Sequence, residues 1–173
     1  SMHSMDNYYF TKLRPLIAEA GVSVIANPLI NITLQGRQDS YPKRRGMTRV
    51  PELMAAGINV AFGHDCVMDP WYSLGSGDML EVAHMGLHVA QMTSQAGMRQ
   101  CFDAVTVNAA KVMGLSGHGI AAGKDASFVL LQARDPIEAI RLRATRLKVW
   151  RKGQLLSDMA PAAARLNLPG RPG

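Results

Sequence analysis

Apolar positions first recur at helical spacing at Tyr9, Phe10, Leu13, Leu16, Ile17 and Ala20, and Gly21 follows where a helix would stop. Pro15 lies inside that pattern and predicts a kink or a late helix start. The period then shortens. Val22-Ser23-Val24-Ile25-Ala26 is a β-branched run ended by Asn27-Pro28, and it reads as a buried strand. Residues 31–46 mix polar groups with Gly36, Pro42 and Gly46 and show no clear period, which predicts a long functional or mobile loop. Thr48 is placed to cap a helix reaching about Ala56, with Gly57 as its stop. Residues 58–63 predict a second buried strand that ends at His64-Asp65. Strand, loop, helix, strand is the order of a parallel α/β sheet, so the two strands are expected side by side and parallel.

The second half changes style. Asp78 is placed to cap a helix running to about Met92, with Glu81, His84, His88 and Gln91 on one polar stripe. A further single helix is predicted from about Met98 to Met113, turning Phe102, Val105, Ala109 and Val112 inward, with Gly114 and Gly117 closing it. Residues 127–131 are strand-like, residues 136–142 predict a short helix, and residues 146–156 read as a hairpin turning at Lys152-Gly153. After Ser157 the chain is mostly Ala, Pro, Gly and Arg, which predicts a frayed terminus. There is no internal repeat. Two parallel strands followed by antiparallel pieces are an incomplete inventory for one domain, and predict the end of something larger.

Composition narrows the class. The 173 residues are 47% apolar and 18% charged, enough to build one core. The longest apolar stretches are broken by Asn27, Pro28 or Asn59, short of the roughly 18 residues of a membrane helix. Ser1-Met2-His3-Ser4 has neither a basic nor an apolar leader region. Cys66 and Cys101 form no CxxC or CxxH pattern, which excludes a thiolate zinc cage and suits a reducing cytoplasm. The expectation is a cytoplasmic protein without a membrane partner. The net charge of +6 is concentrated at Arg37, Lys43, Arg44, Arg45 and Arg49, and again between Arg141 and Lys152. Such clusters can neutralise phosphates. Aromatic residues make up only 6% and none is interleaved with the arginines for base stacking, so a solvated loop or subunit contact is preferred and no nucleic-acid partner is expected.

His64-Asp65 is the first candidate for chemistry. The carboxyl ends of parallel strands are where α/β barrels collect catalytic groups. An aspartate there can bind a divalent metal or move protons beside a metal-bound water; the alternative is a turn or capping aspartate. His84-x-x-x-His88 with Glu81 has the i, i+4 spacing of a chelating pair, but no glutamate follows the first histidine, and a polar or interfacial stripe is the preferred reading. Met79, Met85, Met92, Met98 and Met113 at helical spacing read as core filler. Cys66, beside Asp65, is placed to line a pocket.

The run Gly63-His64-Asp65-Cys66-Val67-Met68-Asp69-Pro70-Trp71-Tyr72-Ser73-Leu74-Gly75 resembles the last-strand signature of the cytosine deaminase family of the amidohydrolase superfamily. Residues 26–32, Gln35-Gly36-Arg37 and Tyr41-Pro42-Lys43-Arg44-Arg45-Gly46 match the same family upstream, and residues 106–110, Gly119-Ile120 and Gly123 match it downstream. The resemblance spans nearly residues 2–156. It implies a partial (β/α)₈ barrel, residues 1–117, holding the last two strands and their helices. Residues 118–157 would return to a small β-sandwich, and 158–173 would be a flexible tail. The implied reaction is hydrolytic deamination of a heterocyclic small molecule, with iron or zinc activating water. The metal-binding, proton-shuttling aspartate maps onto Asp65, and the pocket tryptophan onto Trp71. The next position after that aspartate is commonly a second aspartate lining the pocket; here it is Cys66, which leaves cytosine, isoguanine, creatinine-like rings or another amidine open. His3 falls just past the sixth-strand histidine of the family and reads as structural, and His118 as exposed. The other ligands of the family (two histidines of the first strand, one of the fifth) and its general-acid glutamate are not in this chain. A whole barrel takes roughly 250 residues, so the chain is expected to be inactive alone and to need the missing N-terminal portion or a homo-oligomer. A non-catalytic association module derived from that barrel is the alternative.

Overall fold

Val24–Ala26 (β1) and Val60–Phe62 (β2) pair in parallel, with Val24 opposite Val60, Ile25 opposite Ala61 and Ala26 opposite Phe62. This is the pairing the hydrophobic pattern predicts. The computed structural model describes residues 2–165 and 169–170, and its architecture is mixed α/β. A 3₁₀ turn, Met2–Ser4, precedes helix α1, Asn7–Glu19. Between the two strands come α2, Pro28–Leu34, and α3, Val50–Ala55; after them come α4, Met79–Val89, α5, Gln95–Ala104, and α6, Val107–Val112. A second sheet follows, built from β3, Phe128–Leu131, β4, Arg146–Arg151, and β5, Gln154–Asp158, with α7, Pro136–Leu142, inserted after β3. It is antiparallel in the order β3-β4-β5.

One core joins β1 and β2 to the helices. Phe10, Val50, Leu53, Val60, Val82 and Ile140 are buried within it. β2 is buried along its length, whereas Ile25 of β1 is 53% exposed. The expectation that both strands are buried therefore holds for β2 alone. Gly86 of α4 lies over the Phe62 ring, and only a residue without Cβ lets the helix approach so closely. α7 docks on α4 and α5; His84 Nδ1 donates to the Ile140 carbonyl at 2.9 Å. Arg146 of β4 reaches back to Asp78 at 2.6 Å, and so links the second sheet to the residue that caps α4.

Several boundaries differ from those predicted. Pro15 does not delay α1, which runs through it from Asn7: Asp6 caps the helix by accepting from Tyr9 N at 2.8 Å. The loop expected from residue 31 begins at Gln35, because Pro28 opens α2 at its first turn, where a missing N–H costs nothing. Thr48 does not cap α3; Arg49 holds that position without a side-chain cap, and Pro51 stands in the first turn. α4 stops at Val89, where the chain turns through Gln91 at φ 56°. The helix expected over 98–113 is two, broken at Val105-Thr106, where Thr106 takes φ −124°, ψ −95° and its hydroxyl donates to the Phe102 carbonyl. The fully buried positions of this pair are Gly97, Cys101, Ala104 and Ala110; Phe102, Val105, Ala109 and Val112 are half-buried, with Val105 packed against the core.

The second sheet follows its prediction closely. Lys152 (φ 49°) and Gly153 (φ 81°) both take the left-handed conformation that a two-residue hairpin turn requires. Phe128 and Trp150 face each other across β3 and β4 with ring centroids 4.7 Å apart. Of the expected tail over 158–173, Asp158 belongs to β5. Ala162 exchanges two hydrogen bonds with the Gln132 side chain, and residues 166–168 and 171–173 lie outside the described residues.

Gly86→Ala tests the close approach of α4 to β2. The new Cβ would meet Phe62 Cε2 at 2.4 Å. Helix propensity gains about 1 kcal/mol, while overpacking costs about 1–3 kcal/mol. The expected result is a net loss of about 1 kcal/mol, read as a lower urea midpoint. A midpoint at or above the parent's would show that the Phe62 ring yields freely.

Candidate functional site

Parallel pairing brings the carboxyl ends of β1 and β2 to the same side, so Asn27 and the segment after Gly63 become neighbours although 38 positions separate Asn27 from Asp65. Gly63 N donates to the Ala26 carbonyl at 2.9 Å and extends the ladder by one bond. Asp65 then turns the chain with φ 66°, a left-handed conformation in which aspartate is among the better-tolerated residues. Its Oδ2 accepts from Asn27 Nδ2 at 3.0 Å, and its Oδ1 accepts from the Cys66 thiol at 3.5 Å.

A loop held by its own short bonds follows. Asp69 Oδ1 accepts from the backbone N–H groups of Trp71 and Tyr72, each at 2.9 Å, while Met68 N donates to the Leu74 carbonyl. Underneath lies His64, 8% exposed, whose Nδ1 donates to the Cys66 carbonyl at 2.8 Å. The buried Tyr72 meets it edge-on, and Gly75 passes so close that a Cβ there would lie 2.3 Å from His64 Cε1. The loop is therefore clamped to the end of β2 from below, and Asp65 stands exposed above it.

Of the three predicted site residues, Asp65 and Cys66 are in contact. The Trp71 ring is 72% exposed at the tip of the loop. The Asp69 carboxylate, which takes a hydrogen bond from the Cys66 thiol, pushes that thiol up to about 11; partial burial and the Asp65 carboxylate act the same way. Cys66 is thus a neutral donor at neutral pH, not a thiolate. The structure adds Asp69 and Asn27 to the set and places His64 beneath it. Asn27 carries the clearest signal in the sequence, a second polar side chain directly after a buried strand.

The remaining candidates have structural roles. His84 holds α7, and the Nδ1 of His88 donates to the His84 carbonyl at 2.7 Å, so both imidazoles of the i, i+4 pair are engaged in packing α4. His3 lies against Gly46, where a Cβ would clash with its ring, and burial with the neighbouring Arg44 lowers its pKa; His118 is exposed. The basic loop is folded on itself: Arg44 forks onto Asp39 at 2.5 and 2.7 Å and holds that carboxyl down to about 2. That contribution is complete above the ordinary carboxylate range and is lost as pH falls through about 2. Arg49 packs over the Phe10 ring and donates to the Met5 carbonyl.

Among the described residues no group of three or more His, Cys, Asp or Glu side chains converges as a metal site. A catalytic zinc ordinarily takes about three protein ligands. Asp65 would supply one, with the Cys66 thiol beside it. The residues present therefore do not make up a metal centre. No helix among them is long and apolar enough to cross a membrane.

A model of the Amidohydrolase family matches residues 2–156. The chain is 32% identical over 148 residues to the pterin deaminase of Rhizobium rhizogenes (strain K84 / ATCC BAA-868), covering 84% of this chain and 33% of that protein. It is 31% identical over 108 residues to the N-isopropylammelide isopropyl amidohydrolase of Pseudomonas sp. (strain ADP), covering 62% of this chain and 27% of that one. The crystal structure of 5-methylcytosine deaminase from Klebsiella pneumoniae liganded with 5-fluorocytosine superposes with a TM-score of 0.91 at 41% identity, over 95% of this chain and 40% of that one. The chain thus spans well under half the length of the proteins it matches.

The thiol gives a test of the loop that needs no substrate. Iodoacetamide alkylation of Cys66 should stay slow through pH 9 and rise towards about 11. Asp69→Asn, which keeps an oxygen for the Trp71 and Tyr72 N–H groups, should bring that rise to lower pH. Cys101, buried and pushed up to about 12, serves as the unreactive reference. Fast alkylation of the parent near pH 7 would contradict the neutral-thiol assignment.

Proposed function

The chain belongs to the amidohydrolase family, and we propose that it is the C-terminal portion of a metal-dependent hydrolytic deaminase acting on cytosine or a related amidine-containing ring. The observation that carries this reading is the exposed Asp65 carboxylate at the carboxyl end of β2, held by a side chain from the end of β1. The likeness to 5-methylcytosine deaminase and pterin deaminase supports the reaction class. Water adds to the ring carbon that bears the amino group, the C–N bond breaks, and ammonia leaves. Asp65 accepts a proton from water and returns one to the departing nitrogen. Cys66, as a neutral donor, and Trp71, as an aromatic wall, would contact the ring.

The same reading divides the chain into a barrel portion, 1–117, a returning β-sandwich segment, 118–157, and the remainder. The iron or zinc expected from the resemblance would draw its other ligands from a portion of the protein outside this chain. That portion would also cover what is open here. Among the described residues β1 pairs only with β2, and β3 and β5 each have one neighbour. Tyr8, Tyr9, Leu16 and Ile25 are more than half exposed on the side of α1 and β1, a surface that invites association. Those open faces also favour a second reading, a non-catalytic association module.

Reconstitution separates the two. Alone, the chain should self-associate in sedimentation, retain little iron or zinc by elemental analysis, and release no ammonia. Joined to the complementary N-terminal portion, it should bind metal and release ammonia from cytosine, 5-methylcytosine or isoguanine. In that assembly Asp65→Asn should lower turnover about 10²–10⁴-fold, Cys66→Asp should change the preference among rings, and His84→Ala should change neither metal content nor turnover. Normal turnover by Asp65→Asn would end the deaminase reading.

A further inference from the structure

Asn27 stands at the N-cap position of α2, yet its side chain makes no capping hydrogen bond. An asparagine in that position ordinarily accepts from an N–H of the first helical turn. Here the side chain turns the other way, and its Nδ2 donates to Asp65 Oδ2 at 3.0 Å. The room for this is made by Gly63. Its φ is not in the left-handed region, so backbone freedom does not require a glycine, but a Cβ built there would lie 2.5 Å from Asn27 Oδ1 and 3.1 Å from Ile25 Cγ2. Two independent features, a diverted cap and a glycine without a conformational need, thus converge on one contact.

Asp65 is exposed, and an exposed carboxylate has a broad terminal torsion that exchanges its two oxygens between environments. A hydrogen bond from a neutral amide to a charged oxygen is among the stronger kinds and sets the carboxylate plane. Among the described residues the other oxygen, Oδ1, meets the Cys66 thiol at 3.5 Å, a weak donor that it shares with Asp69 and that leaves Oδ1 accessible. We propose that Asn27, seated over Gly63, is a positioning residue for Asp65: it fixes Oδ2 and leaves Oδ1 as the oxygen that exchanges protons with the reacting water. The catalytic consequence rests on the deaminase reading; the contact itself does not.

The test has two arms. In the chain carrying ¹⁵N-asparagine, the Asn27 side-chain amide should show a shifted, slowly exchanging proton signal. That signal should collapse to free-amide behaviour in Asp65→Ala and in Gly63→Ala. In the reconstituted assembly, Asn27→Leu, similar in size but without a donor, should lower kcat about 10–100-fold, as loss of partners behind an active-site group does, with KM little changed. Gly63→Ala should do the same, and the double variant should be no worse than either single one, because both act through one contact. Should Asn27→Leu fail to fold, Gly63→Ala and the amide signal carry the decision. An Asn27 amide indifferent to Asp65→Ala, or parent-like kcat in Asn27→Leu where Asp65→Asn is inactive, would overturn the assignment. If Asp65→Asn itself keeps releasing ammonia, the deaminase reading fails, and the amide signal alone then upholds or removes the contact.

Discussion

The register of β1 on β2 constrains everything built above it. Because Ala26 lies opposite Phe62, the next residues of the two strands, Asn27 and Gly63, emerge side by side. A shift of one residue would turn every side chain of a strand to its other face. It would bury Ile25 and expose Val24 and Ala26, and it would carry Asn27 away from Asp65. The apolar side chains that hold the register are few: Val24, Ala26, Val60 and Phe62 on one pair of faces, with Phe62 pinned by Gly86 of α4. The candidate site therefore depends on the packing of α3, α4, α5 and α6 against a ladder of three residue pairs.

That dependence explains the placement of the polar links. Asn59 donates through Nδ2 to Ser23 Oγ and to the Asn108 carbonyl, while Asn108 donates to the Val60 carbonyl. These bonds satisfy the backbone and side chains at the amino ends of the strands, the end away from Asp65. At the opposite end, His64 and Asp69 clamp the loop. The two ends thus have different chemistry: one is closed by mutual amide bonds, and the other leaves a carboxylate in solvent. Placing reactive groups at the carboxyl ends of parallel strands while the amino ends serve stability is the general division of labour in α/β barrels.

Much of this was legible because local pattern and tertiary need agree. The apolar run before His64-Asp65, the Pro136 start of α7 and the Lys152-Gly153 turn each have one local solution that the fold also uses. The misreadings come from places where they disagree. Helical periodicity continues across Val105-Thr106, yet the Thr106 hydroxyl takes the Phe102 carbonyl and the chain turns. α2 is only seven residues and begins at a proline that also ends a strand, so its apolar Leu29 and Ile30 were hidden behind a turn signal. The contact of Asn27 with Asp65 has no local signature, since it exists only once two strands align.

Charge follows the same logic. Read along the chain, the arginines form clusters suited to a polyanion; in three dimensions several of them are engaged within the fold. Arg44 is forked onto Asp39, Arg49 is spread over Phe10 beside Glu52, Arg146 is on Asp78 and Lys148 is on Asp158. Exposed pairs of this kind contribute little stability singly. Their value here is geometric where they join separate segments. Arg49 ties the N-terminal turn to α3, and Arg146 ties the second sheet to the cap of α4. The loop that carries Asp65 ends at Asp78, so the second sheet and the candidate site share one anchor. A chain whose two sheets are both open at their edges keeps its site in place through such links, and its positive surface is as much a record of that stitching as an invitation to a partner.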